Sequence, residues 1–160
     1  MLKIKIICVG KLKEKYLKDA CNEYIKRLSS CCKLSIIEVD EYRVQNNPSD
    51  SDVNTCIITE GKRIISKIKP ESFVISLCIE GNIISSEEFA QKIETLSVSG
   101  VSDITFIIGG SFGLSNEVKK MSDFRQSISK MTFPHQLTRV VLLEQIYRSF
   151  QILNSGKYHK

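Results

Sequence analysis

The sequence has no tryptophan, only three prolines and only two histidines in 160 residues. The histidines, His135 and His159, lie far from all six cysteines, and no two cysteines have the C-x-x-C spacing, so the patterns typical of zinc sites are absent. No apolar run approaches the length of a transmembrane helix, and the run near the start, Ile6 to Val9, is too short for a signal peptide. We therefore expect no metal, no membrane span, and reduced, mostly buried thiols in a cytoplasmic protein.

What the sequence does contain is 42% apolar and 26% charged residues, which is enough for one domain with its own core. The net charge of +5 is unevenly distributed: residues 1–33 carry +6, residues 34–117 carry −7, and residues 118–160 carry +6. If the two ends meet in the fold, they form a basic face, and such a face suits a polyanion such as RNA. Scattered, solvated surface charge is the alternative that the composition leaves open.

Strand and helix patterns alternate along the whole chain. Strands are predicted at 1–10, 34–39, 72–79 and 103–108, with a short extended piece at 127–131. Helices are predicted at about 13–29, 53–68, 86–96 and 116–121, and from Pro134 to about Leu153. This order predicts a single α/β domain over residues 1–160, with a mainly parallel sheet and right-handed crossovers. Because ligands bind at the carboxyl ends of such strands, the loops after Leu77 and Ile108 are the first candidates for a site.

Three glycines, Gly109, Gly110 and Gly113, directly follow the predicted strand at 103–108. Glycine permits left-handed backbone conformations and lets a ligand approach the main chain closely. The segment resembles a phosphate loop, yet it fits neither G-x-G-x-x-G nor the Walker pattern. A glycine-rich turn without a ligand therefore remains open.

The last helix and the tail carry most of the remaining candidate chemistry. Glu144 and Arg148 are four residues apart on the predicted helix, so they can form an ion pair that holds the guanidinium in place. Taken alone, His135 also fits a surface histidine at a helix start, and Tyr158 and His159 also fit a frayed tail. The helix is apolar on nearly every side, which predicts enclosure by its own fold and by a second subunit.

Several long segments resemble the RlmH family, small SPOUT-class methyltransferases of the large ribosomal subunit. They are FIIGGSFGLS at 106–115, SKMTFPHQLTRVVLLEQIYRSFQI at 129–152 and KYHK at 157–160. The resemblance extends to IICVGKLKEKY at 6–16 and SLCIEGNIISSEEFA at 76–90, so it covers essentially the whole chain.

The resemblance implies a SPOUT-type α/β fold with a C-terminal trefoil knot, the knotted, cofactor-binding part covering about residues 72–160. It also implies a homodimer that uses S-adenosylmethionine to methylate N3 of a pseudouridine in 23S rRNA, with the assembled ribosome as substrate. Another SPOUT reaction, such as ribose methylation of tRNA, and a non-enzymatic ribosome-associated module are the alternatives.

By motif position, the resemblance implies cofactor contacts at Leu77, Gly109, Ile128, Ser129, Lys130, Met131, Thr132 and Phe133. Our hypothesis for catalysis is that Arg148, oriented by Glu144, stabilises negative charge on the base or anchors a phosphate. Tyr158 and His159 would close over the base and assist proton removal, with the tail reaching the partner's cofactor site. The residues expected to shape the pocket or to contact RNA are His135, Arg139, Lys11, Lys13 and Lys15.

The chain departs from the family pattern at two places. Family members often have Asp and Arg after the third strand, where this chain has Cys78 and Glu80, and many have Pro where this chain has Lys157. We further expect the basic segments to border the cofactor pocket and the acidic middle of the chain to face away from it.

Overall fold

A computed structural model describes residues 1–155 as a five-stranded sheet flanked by helices. The strands are β1 (Lys3–Val9), β2 (Lys33–Val39), β3 (Phe73–Ile83), β4 (Asp103–Ile108) and β5 (Phe124–Ser127). The helices are α1 (Lys15–Leu28), α2 (Asp50–Ile65), α3 (Ser86–Val98), α4 (Asn116–Met121) and α5 (His135–Ser155). The strand order is β2-β1-β4-β3-β5 and every pairing is parallel, which confirms the predicted α/β class.

Alternating side chains of the inner strands point into two separate cores, one on each face of the sheet. On one face, Ile4 and Ile6 of β1 pack with residues of α1, α3 and α5. On the other face, Ile7 and Val9 pack with residues of α2 and α4. Both faces are therefore covered, in agreement with β4, which is buried at every position.

Two helices, α2 and α3, begin with a serine whose side chain caps the first turn. Ser49 before α2 and Ser85 before α3 each accept a hydrogen bond from the backbone N–H three residues on, and an acidic side chain returns the bond in each case. Such capping boxes satisfy amide groups that a helix start leaves unpaired. They place the start of α2 at Asp50, three residues before the predicted position.

The prediction of an extended piece at 127–131 is wrong. The strand is Phe124–Ser127, and the chain leaves the sheet directly afterwards. Ser127 Oγ donates to the carbonyl of Ser129, and Ser129 Oγ accepts from the N–H of Met131, so local side-chain bonds replace the ladder. The strand predicted at 72–79 also runs four residues further, to Ile83, because it pairs again with β5 beyond an irregularity.

Candidate active site

A cavity of about 750 Å³ opens at the carboxyl ends of β3, β4 and β5. Its walls come from four segments: 77–80 of β3, the turn 108–114 after β4, the loop 127–134 after β5, and the start of α5. Parallel strands end at the same edge of a sheet, which is why segments distant in sequence meet here. This is the edge that the sequence predicts for the site.

The turn after β4, which we call the glycine turn (residues 109–113), forms one wall mainly with its backbone. The N–H of Gly113 donates to the carbonyl of Gly110 at 3.1 Å, and Gly113 has a φ of +88°, a conformation that favours glycine. A Cβ on Gly109 would lie only 3.0 Å from the carbonyl carbon of Gly113, so the turn closes tightly on itself. Phe112 at its tip is 39% exposed and lines the cavity.

The opposite lip is an irregularity in β3. Gln126 of β5 pairs with both Leu77 and Asn82, so residues 78–81 bulge out of the ladder. At Gly81 the two backbones approach so closely that a Cβ would lie 2.6 Å from the carbonyl carbon of Gln126. The bulge carries Cys78, Ile79 and Glu80 to the cavity wall.

Glu80 pairs with Lys119 of α4 at the lip, and both residues line the cavity. The hydrogen bond from Lys119 lowers the pKa of the Glu80 carboxyl, so the pair is ionised at neutral pH. Glu80 comes from the acidic middle of the chain. The expectation that this middle faces away from the cofactor pocket is therefore wrong at this residue.

The loop 128–134 supplies most of the contacts that the resemblance implies. Ile128, Ser129, Met131, Thr132 and Phe133 all line the cavity. Leu77 and Gly109 line it as well, whereas Lys130 does not.

His135, the first residue of α5, lies at the cavity wall and is half-buried. Burial lowers the pKa of its imidazole; the Glu41 carboxylate opposes this, and the charges of Arg139 and Lys13 add to it. The ring is therefore neutral at pH 7 and can accept a proton or a hydrogen bond.

The cavity fits a molecule of the size and character of S-adenosylmethionine. Its volume lies within the range of small-molecule sites, and its lining combines apolar side chains with exposed main chain and few charges. Gly113 leaves open space where a side chain would stand, so a ligand can reach the backbone there. Within residues 1–155, no three His, Cys, Asp or Glu side chains are grouped as a metal site would require.

Glu144 and Arg148 form the predicted ion pair on α5, with Arg148 Nη2 2.6 Å from Glu144 Oε1. Both side chains are largely but not fully buried, at 18% and 27% exposed. Neither lines the cavity of its own chain. Arg148 is thirteen residues beyond His135, a rise of about 20 Å along the helix, so it lies well away from this wall.

Arg139 is almost fully buried, with a side chain only 4% exposed. Its Nη1 lies 2.8 Å from Glu38 Oε2 and its Nη2 donates to the carbonyl of Gly10, so it joins α5 to the ends of β1 and β2. It does not line the large cavity but a smaller one of about 440 Å³, together with Lys11. In this arrangement its guanidinium is held inside the protein and is not presented to RNA.

The other predicted basic residues lie beside the site and outside the large cavity. Lys11, Lys13 and Lys15 are all exposed, and Lys15 pairs with Asp19. The backbone N–H of Lys13 donates to Gln136 Oε1, which ties this segment to the first turn of α5 next to His135. Tyr158 and His159 lie outside the described residues.

Sequence reasoning missed the contributions of Phe112, Lys119 and Thr138 to the cavity wall. Only its pairing with Glu80 places Lys119 at the cavity, and the sequence alone does not indicate that pair. Phe112 stands between Gly110 and Gly113, where an aromatic side chain cannot be buried by the turn itself. That pattern could have marked it as a cavity residue.

The cysteines are all free, and four of them (Cys8, Cys21, Cys32 and Cys56) are buried, as predicted. Burial raises the pKa of Cys8 and of Cys32 to about 12, so these thiols stay protonated and unreactive. None of the helices within residues 1–155 is both long and apolar enough to cross a membrane.

Comparison with known proteins identifies the class to which this fold and cavity belong. A family model described as "Predicted SPOUT methyltransferase" matches residues 2–159, so the chain belongs to the SPOUT methyltransferase family. Within that family, the chain is 53% identical over 159 residues to a Clostridium perfringens protein named "Ribosomal RNA large subunit methyltransferase H 1". It is 50% identical to "Ribosomal RNA large subunit methyltransferase H" of Carboxydothermus hydrogenoformans. Both alignments cover 99% of this chain and all of the relative, which confirms the resemblance inferred from the motifs.

The fold is also similar to a solved structure of a "probable methylase family protein" from Haemophilus influenzae. The TM-score is 0.54 at 13% identity, and the match covers 98% of this chain and 70% of the other. At this identity the likeness concerns the fold alone.

Proposed function

We propose that the protein transfers a methyl group from S-adenosylmethionine to N3 of a pseudouridine in 23S rRNA, acting on the assembled ribosome in the cytoplasm. The observation that carries the proposal is the cavity at the strand ends, lined by seven of the eight residues at which the resemblance implies cofactor contacts. The full-length relatives named as methyltransferases of large-subunit ribosomal RNA support the substrate class.

The residues present fit the chemistry of this reaction. When bound, S-adenosylmethionine supplies a methyl group already activated by a positively charged sulfur. N3 of pseudouridine is an imide nitrogen, and its proton must leave as the new bond to carbon forms. The chain therefore has to hold the base in line and to accept that proton or to stabilise the negative charge it leaves behind.

Two imidazoles are candidates for the proton. His159 is the one favoured by the sequence, and His135 is a neutral ring at the cavity wall. A pH profile of methyl transfer separates them: substitution of the true acceptor, as His135→Asn or His159→Asn, removes the acidic limb of the profile. The other substitution leaves that limb in place.

We further propose that the site is completed by a second copy of the chain. Arg148 and Glu144 lie far along α5 from the cavity of their own chain, yet their close ion pair fixes the guanidinium well enough to present it to a substrate. In a homodimer, this pair and the tail with Tyr158 and His159 would serve the partner's cavity. The knotted arrangement of the part from about residue 72 onward belongs to the same proposal.

The reaction is tested by tritium transfer from labelled S-adenosylmethionine to whole ribosomes, separated subunits and tRNA. We expect label in whole ribosomes, within the large-subunit RNA, and none in tRNA. Label in tRNA alone would point to the ribose-methylating alternative, and cofactor binding with no acceptor at all would sink the proposal. A chain ending at Ser155 should bind the cofactor but transfer no label.

The sharing of residues between chains is tested by mixing two inactive variants. One carries Gly110→Val, which distorts the glycine turn that forms the cavity wall, because even a Cβ there would lie 2.9 Å from Glu60 Oε1 and 3.1 Å from Val9 Cγ1. The other carries Arg148→Ala. If Arg148 serves the partner's cavity, a mixed dimer contains one complete site and activity returns. If it serves its own, mixing restores nothing.

A further inference from the structure

A buried carboxylate stands directly behind the glycine turn. Glu60, on α2, is only 2% exposed. Its Oε2 accepts a hydrogen bond of 3.0 Å from the backbone N–H of Tyr42, whereas its Oε1 is buried without a hydrogen-bond partner. Such a group is costly in a folded protein and calls for an explanation.

Glu60 Oε1 faces Gly110. A Cβ on that glycine would lie 2.9 Å from the oxygen, and Gly110 lines the cavity. Only glycine therefore allows the carboxylate and the turn to come this close. The main chain at Gly110 has the cavity on one side and the carboxylate on another.

No positive charge neutralises this carboxylate at close range. Among the ion pairs in the described part of the chain, none includes Glu60. Arg63 is the nearby cation on α2, but it donates to the carbonyl of Asp40, and Glu41 adds a second negative charge. Glu80, the carboxylate that does line the cavity, is paired with Lys119.

We propose that Glu60 determines the specificity of the cofactor cavity. Its buried negative charge favours a cofactor with a positively charged sulfur over the demethylated cofactor, whose sulfur is neutral. The inference rests on the proposed function. The two molecules are S-adenosylmethionine and S-adenosylhomocysteine, which differ only by the methyl group and its charge. A charge that is 2% exposed and separated from the cavity by the main chain at Gly110 acts over several ångströms, because burial reduces its screening by solvent. The spent cofactor loses this attraction, which assists its release.

The test compares the affinities of the two molecules by calorimetry at about pH 8, where carboxyl groups are normally ionised. In wild-type protein we expect S-adenosylmethionine to bind more tightly. In Glu60→Gln the preference of the protein for S-adenosylmethionine over S-adenosylhomocysteine should fall by about 3- to 10-fold, since the loss of one partly screened charge near a ligand is an effect of this order. The affinity for S-adenosylhomocysteine should stay within about twofold, since the neutral molecule does not sense the charge.

Purely structural damage is distinguishable, because it weakens both molecules equally and leaves the ratio unchanged; that result would overturn the inference. Glu117→Gln, on exposed α4, removes the same charge where water screens it and should leave the ratio unaltered. Failure of wild-type protein to bind either molecule would instead refute the proposed function.

A pH series keeps the inference testable if Glu60→Gln does not fold. Burial raises the pKa of Glu60, and the hydrogen bond from the Tyr42 N–H and the neighbouring Cys56 thiol partly offset this. The preference for S-adenosylmethionine should therefore decline as the pH is lowered and the carboxylate takes up a proton. His135 titrates at the same cavity, so the series is run on His135→Gln. A preference that is constant down to about pH 4, below the ordinary pKa of a glutamate, excludes the role of Glu60 in that variant.

Discussion

Substitution of Gly61 by alanine should destabilise the protein, although the same change in most helices is stabilising. Gly61 lies inside α2, where alanine normally gains about 1 kcal/mol over glycine. Here, however, a Cβ would lie 2.9 Å from Ser115 Cβ and closer still to Ser115 Oγ. That hydroxyl accepts a hydrogen bond from the N–H of Val118 and caps α4 directly after the glycine turn.

The magnitude follows from three opposing contributions. Overpacking costs about 1–3 kcal/mol, displacement of the Ser115 cap costs about 1 kcal/mol, and helix propensity returns about 1 kcal/mol. We expect a net loss of about 2 kcal/mol, which lowers the Tm of a chain of this size by about 4–8 °C. Cofactor affinity should fall as well, because the cap holds the end of the glycine turn.

Thermal and denaturant unfolding of a double-mutant cycle measures this effect. Ser115→Gly removes both clashing atoms and, as a cap, glycine is only a few tenths of a kcal/mol poorer than serine. The pair Gly61→Ala with Ser115→Gly should therefore recover most of the lost stability, which is a strong positive coupling. A Gly61→Ala protein that melts at or above the wild-type temperature would refute the reasoning, and so would a failure of Ser115→Gly to rescue it.

Three further predictions concern the site and its supports. S-Adenosylmethionine should slow the alkylation of Cys78, which lines the cavity. The alkylation of Cys31, which is partly exposed outside the cavity, should not change. Equal rates for Cys78 with and without the cofactor would contradict the assignment of the cavity. Because burial lowers the pKa of His135 in the folded protein, the unfolded chain binds a proton at this imidazole more readily. The free energy of unfolding should therefore be highest above about pH 6.5 and fall at lower pH. In His135→Asn, denaturant midpoints measured at several pH values should fall less. Arg139→Met should cost about 1–3 kcal/mol in unfolding free energy, less than a fully buried pair would, because Glu38 is one-third exposed; an unchanged midpoint would show that the pair is dispensable.

The elements with an unambiguous apolar pattern are those that the sequence predicts well. β4 and α4 have the bounds expected, because a mainly apolar run followed by two glycines marks the strand and Ser115 caps the helix. The strand β5 was misplaced because Ser127 and Ser129 end it with local hydrogen bonds that no periodicity reveals. Whether the backbone bonds to a neighbouring strand or to a nearby serine side chain depends on the local geometry, which the residue types alone do not determine.

The candidate site likewise contains residues that the sequence indicates and residues that only the structure reveals. The glycine turn and the loop 128–133 stand out in the sequence because each is continuous and carries a long motif, and both line the cavity except at Lys130. Arg139 was expected to shape the pocket or to contact RNA, and its burial depends on Glu38, which is 101 residues away in the sequence. Glu60 gave no signal at all, because its significance arises only where α2 touches Gly110.

The bulge in β3 places residues of the cavity lip outside the hydrogen-bonded pairing of the sheet. Because Gln126 pairs with residues on both sides of 78–81, the pairing of β3 with β5 does not depend on the side chains of residues 78–80. Gly81 alone is constrained, since a Cβ there would lie 2.6 Å from the carbonyl carbon of Gln126. Cys78 and Glu80, the residues by which this chain departs from its family after the third strand, both stand on that segment. Substitutions at residues 78–80 can therefore change the polarity of the cavity lip while β3 keeps its register against β5.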